Sequence, residues 1–558
     1  MAEMDLEHVL FGLSTFVNDC EEKKLNVDNV YKESYLKLLD QMALLLREES
    51  TRDHDLIRSN LPKFIDSADY LLVNQEQPGY NELLLEVIRV LANSIADNDV
   101  NRRQLSSKSD FIEHLSNQLE SKPDDSSLNE RILILLKNLV IDTPDVAKDV
   151  SFITQSLLSY ISQSDGGIFM AVDLLTDLIG NMQYNPNPQN IENLIKLLVK
   201  TLNQQSDLDE DEFAELVVNI SSVLEGITVD PRFKFDKAET EKTLQVGLFD
   251  SLKKIDSLEF QNILMAKRRL FASIGNISAN LTTSNKPMRT YSISNVQDQN
   301  QQNGYIISGC FTIIGNSIAS PEDRNEVLDQ APALVNDILS KYNYLTDPVQ
   351  FQGILHLLKA LTNFDTVGTL FTDKNFKVLE FLIEATVRNS KYYTNFNVLL
   401  TGFLKKLFVL VNQRHVEKIL NSGVPEILTS SDPSNESNLI ILLLLNKVAI
   451  YKSDSNIDIF CNRIFKFSND IQAAYLFELT KTIGVLLQHR SSYVLENYSS
   501  SLITLLTTID SIDASSNDNA AKAVLNNGRY ISGTLLNLSK ENDIDPELKA
   551  LSEKLLRK

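Results

Sequence analysis

Tryptophan is absent from the 558 residues, and cysteine is scarce, with Cys20, Cys310 and Cys461 far apart. No two of them form a CxxC pair, which excludes a disulfide framework and a thiolate zinc site and fits a reducing compartment. Long apolar runs are missing too. The longest, Leu439 to Leu445, stops at Asn446-Lys447, far short of the roughly 20 residues a membrane span needs. The opening MAEMDLEHVLFGL carries acids where a signal peptide needs a basic flank, and the closing LSEKLLRK holds no lipidation box. A soluble protein of the cytoplasm or nucleus is expected, with the cytoplasm as its location.

Positive charge is in short supply. Lys+Arg number 53 against 75 Asp+Glu, a formal net charge of −22. Such a surface repels phosphate backbones at long range, which disfavours nucleic acid and favours a basic partner. Hydrophobic residues at 43% and charged ones at 23% exclude wholesale disorder. Catalytic signatures are also lacking: the six histidines are scattered, with no HExxH, and there is no GxxxxGK[ST], GxGxxG or GxSxG. His356, inside ILHLLKAL, reads as a core or groove histidine, and Gly166-Gly167 as a turn ahead of a helix. No covalent or metal chemistry and no cofactor are expected.

Gly (18) and Pro (14) are few, and apolar residues recur at helical spacing nearly everywhere. In YLKLLDQMALLLREES, Leu38, Met42, Leu45 and Leu46 form one stripe. The chain reads as all-α. Within that pattern an asparagine returns in or just after an apolar helix: Asn93, Asn138, Asn219, Asn276, Asn316, Asn363, Asn446 and Asn537. Most intervals are one or two units of roughly 40–47 residues, the period of armadillo or HEAT repeats. Units of that kind bury their apolar faces only by stacking. The expectation is therefore one armadillo/HEAT-like superhelical solenoid of about ten repeats over 1–558. Each asparagine has two readings: a cap or tie between repeats, or a position on a shared groove.

Two stretches interrupt the pattern. Residues 281–303, LTTSNKPMRTYSISNVQDQNQQN, are expected to form a flexible polar loop, and 511–522 a shorter connection. Arg289-Thr290-Tyr291-Ser292 has the form of a basic-directed kinase site. The densest acidic stretch, SDLDEDEFAELVVNI, holds Asp209, Glu212 and Glu215. It reads both as the N-terminal start of a helix, where acids suit the dipole, and as an electronegative patch for a basic segment. Lys267-Arg268-Arg269 reads as a solvated helix face.

Several segments resemble a known family. VLFGLSTFVNDC, VDNVYKESYLKLLDQMALLLREESTRDH and EVIRVLANSIADNDVNRRQL are similar to the fungal bud-emergence branch of the armadillo-repeat small-GTPase GDP dissociation stimulators. YIISGCFTIIGNSIASPEDRNEVLDQAPALVNDIL and FQGILHLLKALTNFDTVGTLF resemble the central repeats of that family. The resemblance implies an all-helical solenoid that binds Rho-type small GTPases with basic, prenylatable C-terminal tails. It also implies that the protein stimulates nucleotide exchange or chaperones the GTPase in polarity and bud growth. By the same resemblance, Asn276, Asn316, Arg324, Asn325 and Asn363 would contact the GTPase. Asp209, Glu212, Glu215 and Glu225 would form the acidic groove patch for the tail. A scaffold for a polarity or MAP kinase pathway remains open, whereas an importin-like peptide adaptor needs groove tryptophans that this chain lacks.

Overall fold

The computed structural model describes residues 6–25, 27, 29–164, 166–181, 187–204, 209–234, 238–258, 263–280, 286–389, 394–430, 435–451, 457–465, 473–513, 518–540 and 544–558. Among them all regular structure is helical, with no strand. The chain divides into two compact units, Met1–Thr283 and Ser284–Lys558.

Each unit is a stack of two helical layers. In the first unit one layer runs through Leu6–Glu21, Asp55–Val73, Ser109–Ser121, Thr154–Gln163, Pro188–Asn203 and Ala238–Asp256, each packed on the next. The second layer runs through Asn29–Leu45, Tyr80–Ile95, Ser126–Val140, Ile168–Leu178, Glu210–Val229 and Ile263–Ala279. Short helices such as Asp99–Ser106 and Pro144–Asp149 join one repeat to the next. The second unit repeats the scheme. Its second layer comprises Gly304–Asn316, Phe351–Leu361, Thr394–Leu410, Asn435–Ile450 and Ala473–Asp510, the last interrupted by non-helical backbone at Arg490 and Tyr498.

Local sequence sets these boundaries. Tyr80–Ile95 buries Leu83, Leu84, Val87, Ile88, Leu91 and Ile95, a stripe wide enough to face two neighbours. It ends at Ile95 and the next second-layer helix at Val140, where Ala96 and Ile141 leave helical backbone; Asp97 and Asp142 then take a left-handed backbone (φ 51° and 56°) that turns the chain. Asn98 then caps Asp99–Ser106, and in the second unit Ser320 caps Pro321–Gln330 through a reciprocal capping box with Asp323. Gly167 (φ 64°) opens Ile168–Leu178, as its turn role predicts.

Two expectations need correction. The stripe in Asn29–Leu45 is rotated by one residue: Tyr35, Leu39, Met42, Ala43 and Leu46 are buried, while Leu38 and Leu45 are half-buried. Tyr35 packs against Phe16 at 5.2 Å between ring centroids, which turns that face inward and leaves Leu38 against Gly12. The loop expected at 281–303 is instead helical over Lys286–Gln297, with only 298–303 outside helix and 281–285 outside the described residues. Its apolar stripe is thin, resting on Met288, Ile293 and Val296. Buried Arg289, 1% exposed, completes the stripe by pairing with Glu326 at 3.0 Å. Burial of Arg289 and Ser292 within this helix removes the kinase-site reading, because such a site must be an accessible strand of chain.

Candidate functional site

The residues singled out in the sequence are distributed over both units, on second-layer helices and the segments that follow them. Three of the asparagines are ties between repeats. Asn93 Nδ2 donates to the Ala43 carbonyl (2.8 Å), Asn138 Nδ2 to that of Ala92 (3.2 Å), and Asn276 Nδ2 to Thr228 Oγ1 (3.3 Å). In each case the amide reaches the last turn of the preceding second-layer helix: Asn93 and Asn138 bond carbonyls there that lack helical partners, and Asn276 bonds a hydroxyl, the Thr228 carbonyl being taken by Asn280 at 2.8 Å. Asn363 serves a turn: its Oδ1 accepts from the Asp365 and Thr366 amides at 3.0 and 2.9 Å.

The remaining GTPase-contact expectations cluster in the second unit. Asn316 is the half-buried last residue of Gly304–Asn316. Arg324 and Asn325 follow on Pro321–Gln330, which packs on Phe351–Leu361. Asn325 is exposed, and Arg324 is half-buried with Nε lacking a hydrogen-bond partner. Asn276 belongs to the first unit and is not part of that cluster. His356 lies against Gly315, and burial, then Lys359, holds its imidazole below the usual range; its Nε2 is buried without a partner.

The acidic residues lie on one helix of the first unit, Glu210–Val229. Asp209 is its N-cap and accepts from the Glu212 amide at 2.8 Å, so the capping reading holds. Glu212 and Glu215 are exposed on the open face. Glu225 lies about 20 Å further along the axis from Glu212, and at about 100° per residue it is turned about 140° round the helix from it. It is half-buried beside Arg269, and burial raises its pKa, the nearby guanidinium opposing. Asp209, Glu212 and Glu215 therefore form one local acidic cluster, and Glu225 is separate from it.

The open face is not uniformly acidic. In the first unit Arg47, Arg89 and Arg131, from three consecutive repeats, line a cleft of about 250 Å³ beside Asn93. Arg89 is paired with Asp40 and Glu86 (2.5 and 2.8 Å). In the second unit Lys359, Lys406, Lys447 and Lys481 occupy four consecutive second-layer helices. These cations went unnoticed in a chain of net charge −22. A signal existed: the first three recur at nearly the interval of the asparagines, with Lys359 one turn before Asn363 and Lys447 next to Asn446.

No helix among the described residues is long and apolar enough to cross a membrane. A family model described as the BEM4 N-terminal domain matches residues 4–228, and one described as the BEM4 C-terminal domain matches 247–556. The chain is similar to the Saccharomyces cerevisiae protein named GTPase-GDP dissociation stimulator BEM4, 28% identical over 96% of this chain and 97% of that one. Among solved structures, an engineered protein reaches a TM-score of 0.43 at 13% identity, covering 78% of this chain and 99% of its own. A structure from work on the phosphorylation switch between cadherin and beta-catenin reaches 0.44 at 11% identity, covering 96% of this chain and 99% of its own. Neither likeness bears on function at those scores. With family domains matched along both units, the chain belongs to the BEM4 family.

Proposed function

We propose that this protein binds a small GTPase of the Rho type on the open face of its second-layer helices and promotes release of bound GDP, acting in cytoplasmic polarity signalling. The observation that carries the reading is the end-to-end match to a yeast protein named as a GTPase-GDP dissociation stimulator. Two features of the chain support it. Glu212 and Glu215 are exposed and close to Asp209, a local negative field suited to steering a basic C-terminal tail. Asn316, Arg324 and Asn325 gather polar groups beside the Phe351–Leu361 helix, and the exposed Asn325 amide offers two donors and an acceptor to the backbone of a partner.

Exchange of this kind needs no acid or base. Binding has only to favour the nucleotide-free GTPase over its GDP form, which shifts the population toward release. The absence of any catalytic signature in the sequence accords with that mechanism. The test is affinity of the full chain for GDP-loaded, nucleotide-free and GTP-loaded forms of a Rho-type GTPase. Tightest binding to the nucleotide-free form is expected. Equal affinity for all three forms means a chaperone or scaffold instead, and binding to none removes the GTPase reading.

A further inference from the structure

Seventy-five carboxylates are available to pair with 53 Lys and Arg side chains, and on much of the surface they do. Lys137 sits between Asp173 and Asp177 at 2.7 and 2.8 Å, and Lys405 meets Glu478 at 3.0 Å. In the second unit this pairing reaches the second layer only in part: Lys405 and Glu478 lie on Thr394–Leu410 and Ala473–Asp510, next to Lys406 and three residues before Lys481. Lys359, Lys447 and Lys481 have no ion pair or side-chain hydrogen bond among the described residues. The Lys359 ammonium lies over Gly402, and Lys406 Nζ reaches the Lys359 carbonyl at 2.6 Å.

These cations also crowd one another. Burial, then Arg324 and Lys359, pushes the Lys406 ammonium below its ordinary range; burial, then Lys481, does the same to Lys447. Placing like charges together without counterions destabilises the free protein, and an anionic partner offsets that cost. Large aliphatic side chains are exposed on the same helices: Val398 and Val409, each 71% exposed, on Thr394–Leu410 with Lys406, and Ile450, 40% exposed, three residues after Lys447.

We propose that this row, Lys359, Lys406, Lys447 and Lys481 with Val398, Val409 and Ile450 on the same helices, is a docking surface for an acidic, partly apolar polypeptide segment of a protein partner. Packed helices lie about 8–10 Å apart, so the charges are spread too widely for one phosphate. A polyproline II chain has three residues per turn and advances about 3.1 Å per residue, so an acidic residue at every third position returns to one face about every 9 Å and meets each lysine in turn. The residues between face the aliphatic side chains. Lysine ammoniums are point charges that suit separate carboxylates, whereas phosphate sites favour the bidentate arginine fork. A single-stranded nucleic acid would want exposed aromatic platforms between the cations; valine and isoleucine stand there instead. The inference stands apart from the GTPase reading, since binding of such a segment requires no GTPase.

The test uses the full chain and a fluorescein-labelled peptide with glutamate at every third position and leucine or serine between. Its glutamine counterpart, phosphatidylserine vesicles and inorganic phosphate are the comparison probes. The glutamate peptide is expected to bind, with an affinity that falls as salt rises, and the glutamine peptide is not. Lys359→Gln with Lys447→Gln and Lys481→Gln should weaken binding about tenfold, and Lys481→Gln alone about two- to threefold. Lys374→Gln with Lys377→Gln, on the first-layer helix Asp373–Asn389, should leave it unchanged. The triple variant should melt no lower than the natural chain, because it relieves repulsion. Equal binding of both peptides, or no loss in the triple variant, overturns the proposal. So does row-dependent binding of vesicles or phosphate without the peptide.

Discussion

Lys406 Nζ donates a 2.6 Å hydrogen bond to the carbonyl of Lys359, on the preceding second-layer helix. It thereby takes the place that Asn138 holds in the first unit, where Nδ2 reaches the Ala92 carbonyl. One structural task, satisfying a carbonyl of the preceding helix, is thus done by a neutral amide in one unit and by an ammonium in the other. The substitution adds charge to the open face of the second unit without altering the stack.

If that equivalence holds, both ties contribute to stability by similar amounts. Asn138→Ala and Lys406→Met should each lower the unfolding free energy by about 1 kcal/mol, the usual net worth of one hydrogen bond. Denaturant unfolding followed by circular dichroism measures it. A Lys406→Met variant as stable as the natural chain would show that relieved repulsion offsets the lost bond.

Glu326 links acidity to the helix that replaces the expected loop. Its carboxyl is held below the ordinary range by hydrogen bonds from Lys286 and then Arg289. A carboxylate with a lowered folded pKa contributes stability that is present above its unfolded value, near 4.5, and is lost as pH falls through the folded value. Stability of the natural chain should therefore drop below about pH 4.5 more steeply than that of Glu326→Gln. Urea midpoints measured from neutral pH downward compare the two.

His356 has the opposite chemistry and the same sign. Burial lowers its pKa from 6.5, so between 6.5 and its folded value the unfolded chain takes up a proton that the folded chain does not. Stability falls as pH drops through that window. The imidazole resonances should titrate below 6.5, and His356→Gln should flatten the stability profile there. Gly315→Ala acts on the same contact: its added Cβ would meet the imidazole, costing about 1–3 kcal/mol by overpacking.

Steering and gripping surfaces separate by salt. Glu212→Lys with Glu215→Lys should weaken GTPase binding mainly at low ionic strength, because exposed charges are screened beyond roughly 8 Å in physiological salt. Arg324→Ala with Asn325→Ala should weaken it at every salt concentration. These two serve better than Asn363, whose side chain holds its own turn and whose loss would cost stability of about 1 kcal/mol. Binding isotherms over a salt series distinguish the pairs.

The asparagine series located the second-layer helices because a repeat needs the same tie at the same phase, and that requirement is written in sequence spacing. What the spacing does not carry is direction. Asn93, Asn138 and Asn276 point along the stack to a neighbouring helix, a choice settled by where an acceptor of that helix ends up, a carbonyl for the first two and the Thr228 hydroxyl for the third. The helix at 286–297 was hidden because a buried arginine completes its core stripe, and an arginine reads as surface until its partner, Glu326, is brought alongside from another helix. The lysine row was diluted by net charge: a sum of −22 conceals which face each cation occupies.

The most direct measurement is the rate of release of a fluorescent GDP analogue from a Rho-type GTPase mixed with the full chain, with the GTPase's basic tail intact or removed. The account predicts acceleration of at least about tenfold, a barrier lowered by roughly 1.4 kcal/mol, lost when the tail is removed or when Glu212 and Glu215 carry lysine. Release at the spontaneous rate with the intact tail, under conditions where the two proteins bind, would contradict it.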